Sequence, residues 1–227
     1  MLTTLDAMNA NPKENERQTA GQPLEQSRNH DLKLAKISVS EMDNNCYLLS
    51  TGTEGLLIDA ADNAQALLAL AQEEGVRITK VLTTHRHADH VRALREILDA
   101  TDATHYASFL DSPALPCAVD VELQHGDTIE LGDHTLDVLI LRGHTPGGAA
   151  VGTVIDNVPH LFVGDSLFPG GLGKTTSEND FVRLYKDATE RIFDVYSDET
   201  VVWPGHGEPT TVGDERPQLS QWWERRW

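Results

Sequence analysis

The segment Thr84-His85-Arg86-His87-Ala88-Asp89-His90 places three histidines and one aspartate within six positions. An apolar stretch from Val76 to Thr84 comes directly before it and predicts a strand that ends at this segment. Because alternate residues of a strand end point to the same side, His85 and His87 can converge on one point while Asp89 and His90 turn toward another. Imidazole and carboxylate groups are the ligands that Zn²⁺, Fe²⁺ and Mn²⁺ prefer. The segment therefore predicts a metal site.

Ligands from one loop cannot complete the coordination of two metal ions, so further ligands are expected at other strand ends. Three candidates follow apolar stretches: His144 after LDVLILR, Asp165 after HLFVG, and His206 after TVVW. Each is flanked by glycine, which lets the backbone approach a crowded site because glycine has no Cβ. Together with the histidine segment they predict two divalent cations, with Zn²⁺ expected and Fe or Mn as alternatives.

The remaining chain predicts an α/β (α+β) fold in which two sheets pack on each other with helices outside. Short apolar strands separated by Asn and Gly turns begin at Leu32 and return over residues 128 to 165. Helices are expected at residues 63 to 75, from Val91 to Leu98 and from Asp180 to Tyr196. Residues 1–30 are polar and show no apolar period, which predicts a disordered tail before a single domain over residues 31–227.

Composition excludes several classes of partner. The chain has 18 Lys and Arg against 36 Asp and Glu, a net charge of −18, which disfavours nucleic acid and anionic membranes. We recognise neither a secretion signal nor an apolar run of the roughly 20 residues that span a bilayer, so a cytoplasmic protein without membrane partners is expected. Cys46 and Cys117 fit two reduced thiols better than a disulfide framework.

THRHADH, GHTPGG, GDSLF and PGHG, in this order, resemble the motifs of the metallo-β-lactamase superfamily, and within it those of the small glyoxalase-II-type hydrolases. The resemblance covers residues 33 to about 216. It implies an αββα sandwich of two mixed β-sheets flanked by helices, with the site at one edge of the sheets. It also implies one metal held by His85, His87 and His144, a second held by Asp89, His90 and His206, and Asp165 bridging the two.

Such a site implies an enzyme that hydrolyses a thioester or ester, as hydroxyacylglutathione hydrolases do, by attack of a metal-bridging hydroxide. Asp89 or Asp165 would orient the hydroxide or relay its proton. Lys174 follows Asp165 by nine positions, as does the lysine that helps to hold glutathione in the similar hydrolases, although a solvated loop lysine is the other interpretation. Thr176 stands where those hydrolases have an aromatic hydroxyl, and their C-terminal helical domain is not expected here. The expected small-molecule substrate is therefore an acyl thioester of another thiol, an ester or a lactone.

Other relatives are disfavoured, and some alternatives stay open. The motifs lack the cysteine ligand of di-zinc β-lactamases and the glutamate that the flavin-linked di-iron relatives have at the position of His87. RNA-processing nucleases conflict with the negative charge. Persulfide dioxygenases resemble the same motifs but bind one iron through the residues that match His85, His144 and Asp165. A binding module, stabilised by metal and using an exposed Trp222, Trp223 and Trp227 segment, is a further alternative.

Asp59, at the end of GLLIDA, has two possible roles. It either orients the histidine loop from behind the ligands or caps the end of a strand. The sequence does not indicate an oligomeric state.

Overall fold

The computed structural model describes residues 31–226. The predicted tail over residues 1–30 and the terminal Trp227 of the predicted domain lie outside the described residues.

The first sheet has six strands in chain order, namely β1 (Lys33–Val39), β2 (Asn44–Thr51), β3 (Glu54–Ile58), β4 (Arg77–Thr83), β5 (Thr104–Ser108) and β6 (Val121–Leu123). The first three strands form an antiparallel meander, whereas β3 to β6 run parallel. Parallel neighbours need a crossover connection, and helices α1 (Ala64–Glu73) and α2 (Leu94–Thr101) supply two of them.

The second sheet also has six strands. They are β7 (Thr128–Leu131), β8 (His134–Leu141), β9 (Gly148–Ile155), β10 (Val158–Gly164), β13 (Val201–Pro204) and β14 (Thr210–Thr211), in the order β14-β13-β10-β9-β8-β7. A two-stranded ribbon, β11 (Leu167–Phe168) and β12 (Gly171–Leu172), follows β10. Helix α3 (Glu178–Ala188) connects this region to β13, and the chain continues through α4 (Val212–Glu215) and α5 (Leu219–Arg225).

Three apolar clusters hold the layers together. The central cluster lies between the sheets and includes Leu49 and Ile58 from the first and Val151 and Phe162 from the second. A second cluster packs α1 and α2 on the outer face of the first sheet, and a third packs α3 and α5 on the outer face of the second. The layers are thus helix, sheet, sheet and helix, which confirms the predicted αββα sandwich.

Backbone hydrogen bonds join the two sheets at one edge. Ala149 N, at the start of β9, donates to Thr84 O after β4 at 2.7 Å, and Asn45 N of β2 donates to Gly205 O after β13 at 2.8 Å. Gly205 N donates in turn to Gly164 O at the end of β10. The loops that follow β4, β10 and β13 therefore meet at this edge.

Some predicted element boundaries were wrong. The helix predicted from Val91 begins at Leu94 instead, because Ala88–His90 forms a separate 3-10 turn. The helix predicted from Asp180 begins at Glu178, where Ser177 caps it, and after Ala188 it continues as a π-helical turn over Thr189–Phe193.

An exposed segment of Trp222, Trp223 and Trp227 was one alternative from the sequence, and Trp222 does not fit it. Trp222 is fully buried against Phe193 in the third cluster because α5 folds back onto the second sheet, while Trp223 is 39% exposed. Across residues 31–226, no helix is long and apolar enough to cross a membrane.

Candidate metal centre

Three histidines from two loops form the first ligand group. The ligand atoms of His85, His87 and His144 all lie within 4.8 Å of one another, and His85 Nε2 is 3.1 Å from His87 Nδ1. His144 Nδ1 donates to the carbonyl of Lys174 at 2.7 Å, so the lone pair of the ring lies on Nε2. That atom is buried and has no hydrogen-bond partner within the described residues.

Asp89, His90 and His206 form the second group. His206 Nδ1 donates to the Met42 carbonyl at 2.8 Å, which leaves the lone pair on Nε2. The Nε2 atoms of His90 and His206 are 3.1 Å apart, and Asp89 Oδ2 lies 3.6 Å from the first and 3.3 Å from the second. Asp89, His90 and His206 therefore converge on a second point, although the His90 ring centroid lies 4.2 Å from that of His85 in the first group.

Asp165 lies between the two groups. Its Oδ2 is 3.6 Å from His144 Nε2 in the first group and 3.5 Å from His206 Nε2 in the second, and its Oδ1 is 3.4 Å from His90 Nε2. Asp165 Oδ1 is buried and has no hydrogen-bond partner among the described residues. One carboxylate therefore faces both groups.

The donor chemistry fits divalent cations. In both groups, imidazole nitrogens and carboxylate oxygens are directed at a common point, and several of them have no proton to share. Acceptors brought this close repel one another unless a cation or a proton lies between them. His85, His87 and His144 would hold one cation and Asp89, His90 and His206 a second, with Asp165 within reach of both.

The pKa values of three of these residues affect how readily the two groups bind a cation. Burial and the nearby imidazoles lower the pKa of His85 well below its usual value, so it is neutral at pH 7. Burial raises the pKa of Asp165, but the charge of the nearby His90 outweighs this effect, so the pKa is lower than usual. Burial lowers the pKa of His90, but the carboxylates of Asp59 and Asp165 raise it to about 10. A proton on His90 therefore competes with a cation.

Comparison with known proteins agrees with this geometry. A family model described as the metallo-beta-lactamase superfamily matches residues 39–206, a range that includes all seven of these side chains. The chain belongs to this superfamily.

Three relatives illustrate the range within the metallo-beta-lactamase superfamily. A hydroxyacylglutathione hydrolase of Roseobacter denitrificans is 33% identical over 172 residues, which cover 72% of this chain and 62% of that protein. ETHE1 from Myxococcus xanthus has a TM-score of 0.72 and 28% identity, with 83% of this chain and 85% of that chain covered. TTHA1623, solved in a di-iron-bound form, has a TM-score of 0.66 and 30% identity over 80% of this chain and 96% of that chain. The chain thus spans less than two thirds of the hydroxyacylglutathione hydrolase.

Asp59 supports the metallo-beta-lactamase centre from behind the ligands. It is 1% exposed, and it accepts hydrogen bonds from Thr84 N and Thr84 Oγ1, both at 2.7 Å. His90 Nδ1 donates to Asp59 Oδ2 at 2.8 Å, which directs His90 Nε2 toward the second group. Because Thr84 Oγ1 also lies 3.0 Å from His85 Nδ1, Asp59 contacts His90 directly and His85 through one hydroxyl. Asp59 therefore binds the backbone at the strand end and also contacts His90, and its role in orienting the ligands stays a prediction.

Two further residues hold the site and were not predicted. Asn44 is fully buried, and its Nδ2 donates to Asp89 Oδ2 at 3.0 Å. Asp111 is 1% exposed and accepts from Arg86 N and Gly147 N, both at 3.1 Å, which ties together the loops that carry His87 and His144. Asp111 follows β5 as Asp165 follows β10, and this strand-end position was a signal that sequence reasoning did not use.

Glycines bring the backbone close to the ligands, as predicted. A Cβ at Gly205 would overlap Asp165 Oδ1 and lie 2.8 Å from His90 Cε1. A Cβ at Gly173 would overlap the backbone of Asp165 and lie 3.3 Å from His144 Nδ1. Any larger residue at either position would displace a ligand.

A cavity of about 610 Å³ opens beside His87 and His144. Three arginines line it, whereas Lys174 does not. The Lys174 side chain is exposed, and the structure brings its backbone carbonyl, rather than its ammonium, into the site. A substrate-binding role for the Lys174 side chain stays a prediction.

Proposed function

We propose that this chain is a metal-dependent hydrolase that cleaves a thioester or ester with two divalent cations. The observation that carries the proposal is Asp165, whose two oxygens lie within 3.6 Å of histidine nitrogens from both ligand groups. A site for one cation would not need the second group, yet Asp89, His90 and His206 are as close to one another as the members of the first group. The similarity to hydroxyacylglutathione hydrolases supports the thioester substrate.

When bound, two divalent cations activate a water molecule at neutral pH and polarise the substrate carbonyl. The chain supplies the positioning and the proton acceptors. Burial raises the pKa of Asp89, but the hydrogen bond from Asn44 and the charge of His90 lower it overall, so its carboxylate is ionised at neutral pH. Asp89 is then able to orient the attacking water and to accept its proton, and Asp165 is the second candidate for that role. We expect Zn²⁺, with Fe or Mn as alternatives, and a cytoplasmic location.

Metal content and activity together test this proposal. Freshly purified protein should contain two divalent ions per chain and should hydrolyse thioesters or esters in a substrate panel that includes lactones. Asp89→Ala and His206→Ala should abolish hydrolysis, because each removes a donor of the second group. His125→Ala is the matched control, since it removes an exposed histidine outside both groups.

A mono-iron dioxygenase acting on persulfides is the second candidate, and the similarity to ETHE1 favours it. In that case His85, His144 and Asp165 would hold the iron. One iron per chain, oxygen uptake with glutathione persulfide, and tolerance of His206→Ala would overturn the hydrolase proposal. No activity in either assay with the metals loaded would favour a binding module instead.

A further inference from the structure

The cavity beside His87 and His144 has an unusual charge for this protein. Arg86, Arg142 and Arg183 line it, although the whole chain has a net charge of −18. These arginines come from three different elements: the histidine segment, the end of β8 and helix α3. The net negative charge of the protein does not attract anions over a long range. A cluster of positive charge at one cavity therefore indicates that an anionic ligand binds there.

Local carboxylates do not cancel this positive charge. Asp187 is 1% exposed and binds the guanidinium of Arg142 through two hydrogen bonds of 2.8 and 2.7 Å. Asp187 also lies 3.5 Å from Arg191, so one carboxylate serves two guanidinium groups. Asp180 lies 3.8 Å from Arg183, and within residues 31–226 the guanidinium of Arg86 has no ion pair or hydrogen bond. The cavity lining therefore contains three arginines and one carboxylate, Asp180, whereas Arg191, Asp187 and Asp111 are not part of it.

Arg142 is held in place to receive an anion. Asp187 accepts from its backbone N at 3.0 Å as well as from its Nε and Nη2. These bonds occupy two of the five guanidinium N–H groups and leave three for another acceptor. Because Arg142 precedes Gly143 and His144, this fixed guanidinium lies two residues from a candidate ligand. A guanidinium immobilised in this way binds carboxylate or phosphate with a smaller loss of side-chain entropy.

Part of the cavity lining is apolar. Phe109 is 42% exposed and lines the cavity with Leu110 and Pro146. An apolar surface beside guanidinium groups suits a ligand with a short hydrocarbon chain that ends in an anion.

We propose that the substrate carries an anionic substituent, a carboxylate or phosphate, that binds Arg86, Arg142 and Arg183 while its scissile carbonyl lies at the metal centre. This rests on the proposed hydrolase function. The anion belongs either to the acyl group or to the leaving thiol, and both positions offer the arginines the same chemistry.

Two matched pairs of thioesters test the proposal and separate these sources. The first pair is the adipoyl thioester of N-acetylcysteamine and the corresponding terminal amide. The second pair is the acetyl thioester of 3-mercaptopropionate and that of its amide. In at least one pair the carboxylate should have a kcat/KM about tenfold above that of the amide, and rising ionic strength should reduce this preference.

The double variant Arg86→Gln/Arg183→Gln should reduce that preference to about threefold or less. Arg142 is kept in this test, because removing it would leave Asp187 buried with one partner fewer. Arg77→Gln is the control: it removes an exposed arginine at the opposite end of β4 from the histidine segment and should keep the wild-type preference.

Equal rates for carboxylate and amide in both pairs would overturn the proposal, as would an unchanged preference in the double variant. If no thioester, ester or lactone is hydrolysed with the metals loaded, the hydrolase function fails, and ligand binding then tests the anion site. Thioether analogues of both pairs, in which CH₂ replaces the thioester carbonyl, should then differ about tenfold in Kd by calorimetry for the wild type in at least one pair. Equal Kd values for carboxylate and amide in both pairs would overturn the proposal even without turnover.

Discussion

Replacing Asp59 by Asn would test whether this carboxylate sets the proton position on the ligands. Asn has the same shape and tolerates the left-handed backbone at this position, where φ is 59°. Three donors face Asp59, namely Thr84 N, Thr84 Oγ1 and His90 Nδ1. An amide has one oxygen, so its NH₂ group must face at least one of these donors. If it faces His90, Nδ1 must accept a hydrogen bond, so the remaining imidazole proton is held on Nε2, the atom required for a cation.

The expected loss follows from these contacts. A hydrogen bond to a charged group contributes about 1.5–3 kcal/mol, so the metal-free Asp59→Asn variant should be less stable by about that amount. Affinity at the group that contains His90 should fall about 10- to 100-fold. The first group should lose less, because it is linked to Asp59 only through the Thr84 hydroxyl and His85.

A chelator titration that counts the metal ions retained per chain measures both affinities, and chemical unfolding of the metal-free protein measures stability. Asp62→Asn is the matched control, since Asp62 is close in sequence but forms a partly exposed ion pair with Arg92 at 3.1 Å. Wild-type affinity at both groups in a folded Asp59→Asn variant would refute the proposed role of this carboxylate.

Three further results are expected. Gly205→Ala should lose metal binding because the new Cβ would overlap Asp165. The control Gly207→Ala, where φ is 69° and the space around the glycine is open, should lower the unfolding free energy by about 1–2 kcal/mol and retain metal. Equal metal loss in both variants would contradict this. Burial raises the pKa of the Cys46 thiol to about 12. A thiol reagent at pH 8 should therefore label only Cys117 in the folded protein and both cysteines after unfolding. Rapid labelling of Cys46 in the folded protein would be inconsistent with its burial. The nearby carboxylates raise the pKa of His90 to about 10 against the effect of burial. Cation binding near pH 8 should therefore release one proton from His90, and the affinity for the cation should rise by up to about tenfold per pH unit. Calorimetry in buffers of different ionisation enthalpy measures this release, and zero release would mean that His90 was already neutral.

The layered fold and the seven candidate ligands were predictable because their signals are local. Each ligand follows an apolar strand within a few residues, and His144, Asp165 and His206 each lie beside glycine. Strand ends gather at one edge when two sheets stack, so the order of strands and polar strand ends predicts convergence without any knowledge of distances. The tertiary structure then adds the distances that place Asp165 between the two groups.

The supporting residues were not predictable in this way. Asn44 contacts Asp89 across 45 positions, and Asp111 contacts Gly147 across 36. Nothing in the neighbouring residues of either one indicates its partner, since hydrogen bonds across sheets depend on how the strands pack and on their register. Trp222 shows the same limit, because its burial depends on α5 folding back onto the second sheet.

The sequence by itself therefore determined the chemistry of the centre, namely which strand ends carry imidazole and carboxylate groups. Only the tertiary structure decided which ring nitrogen of His144 and His206 is free and which buried carboxylate holds His90, and it alone brought three arginines to one cavity in a negative chain. The physical reason is that ligand identity is a property of a residue, whereas proton position and local charge are properties of its neighbours in space.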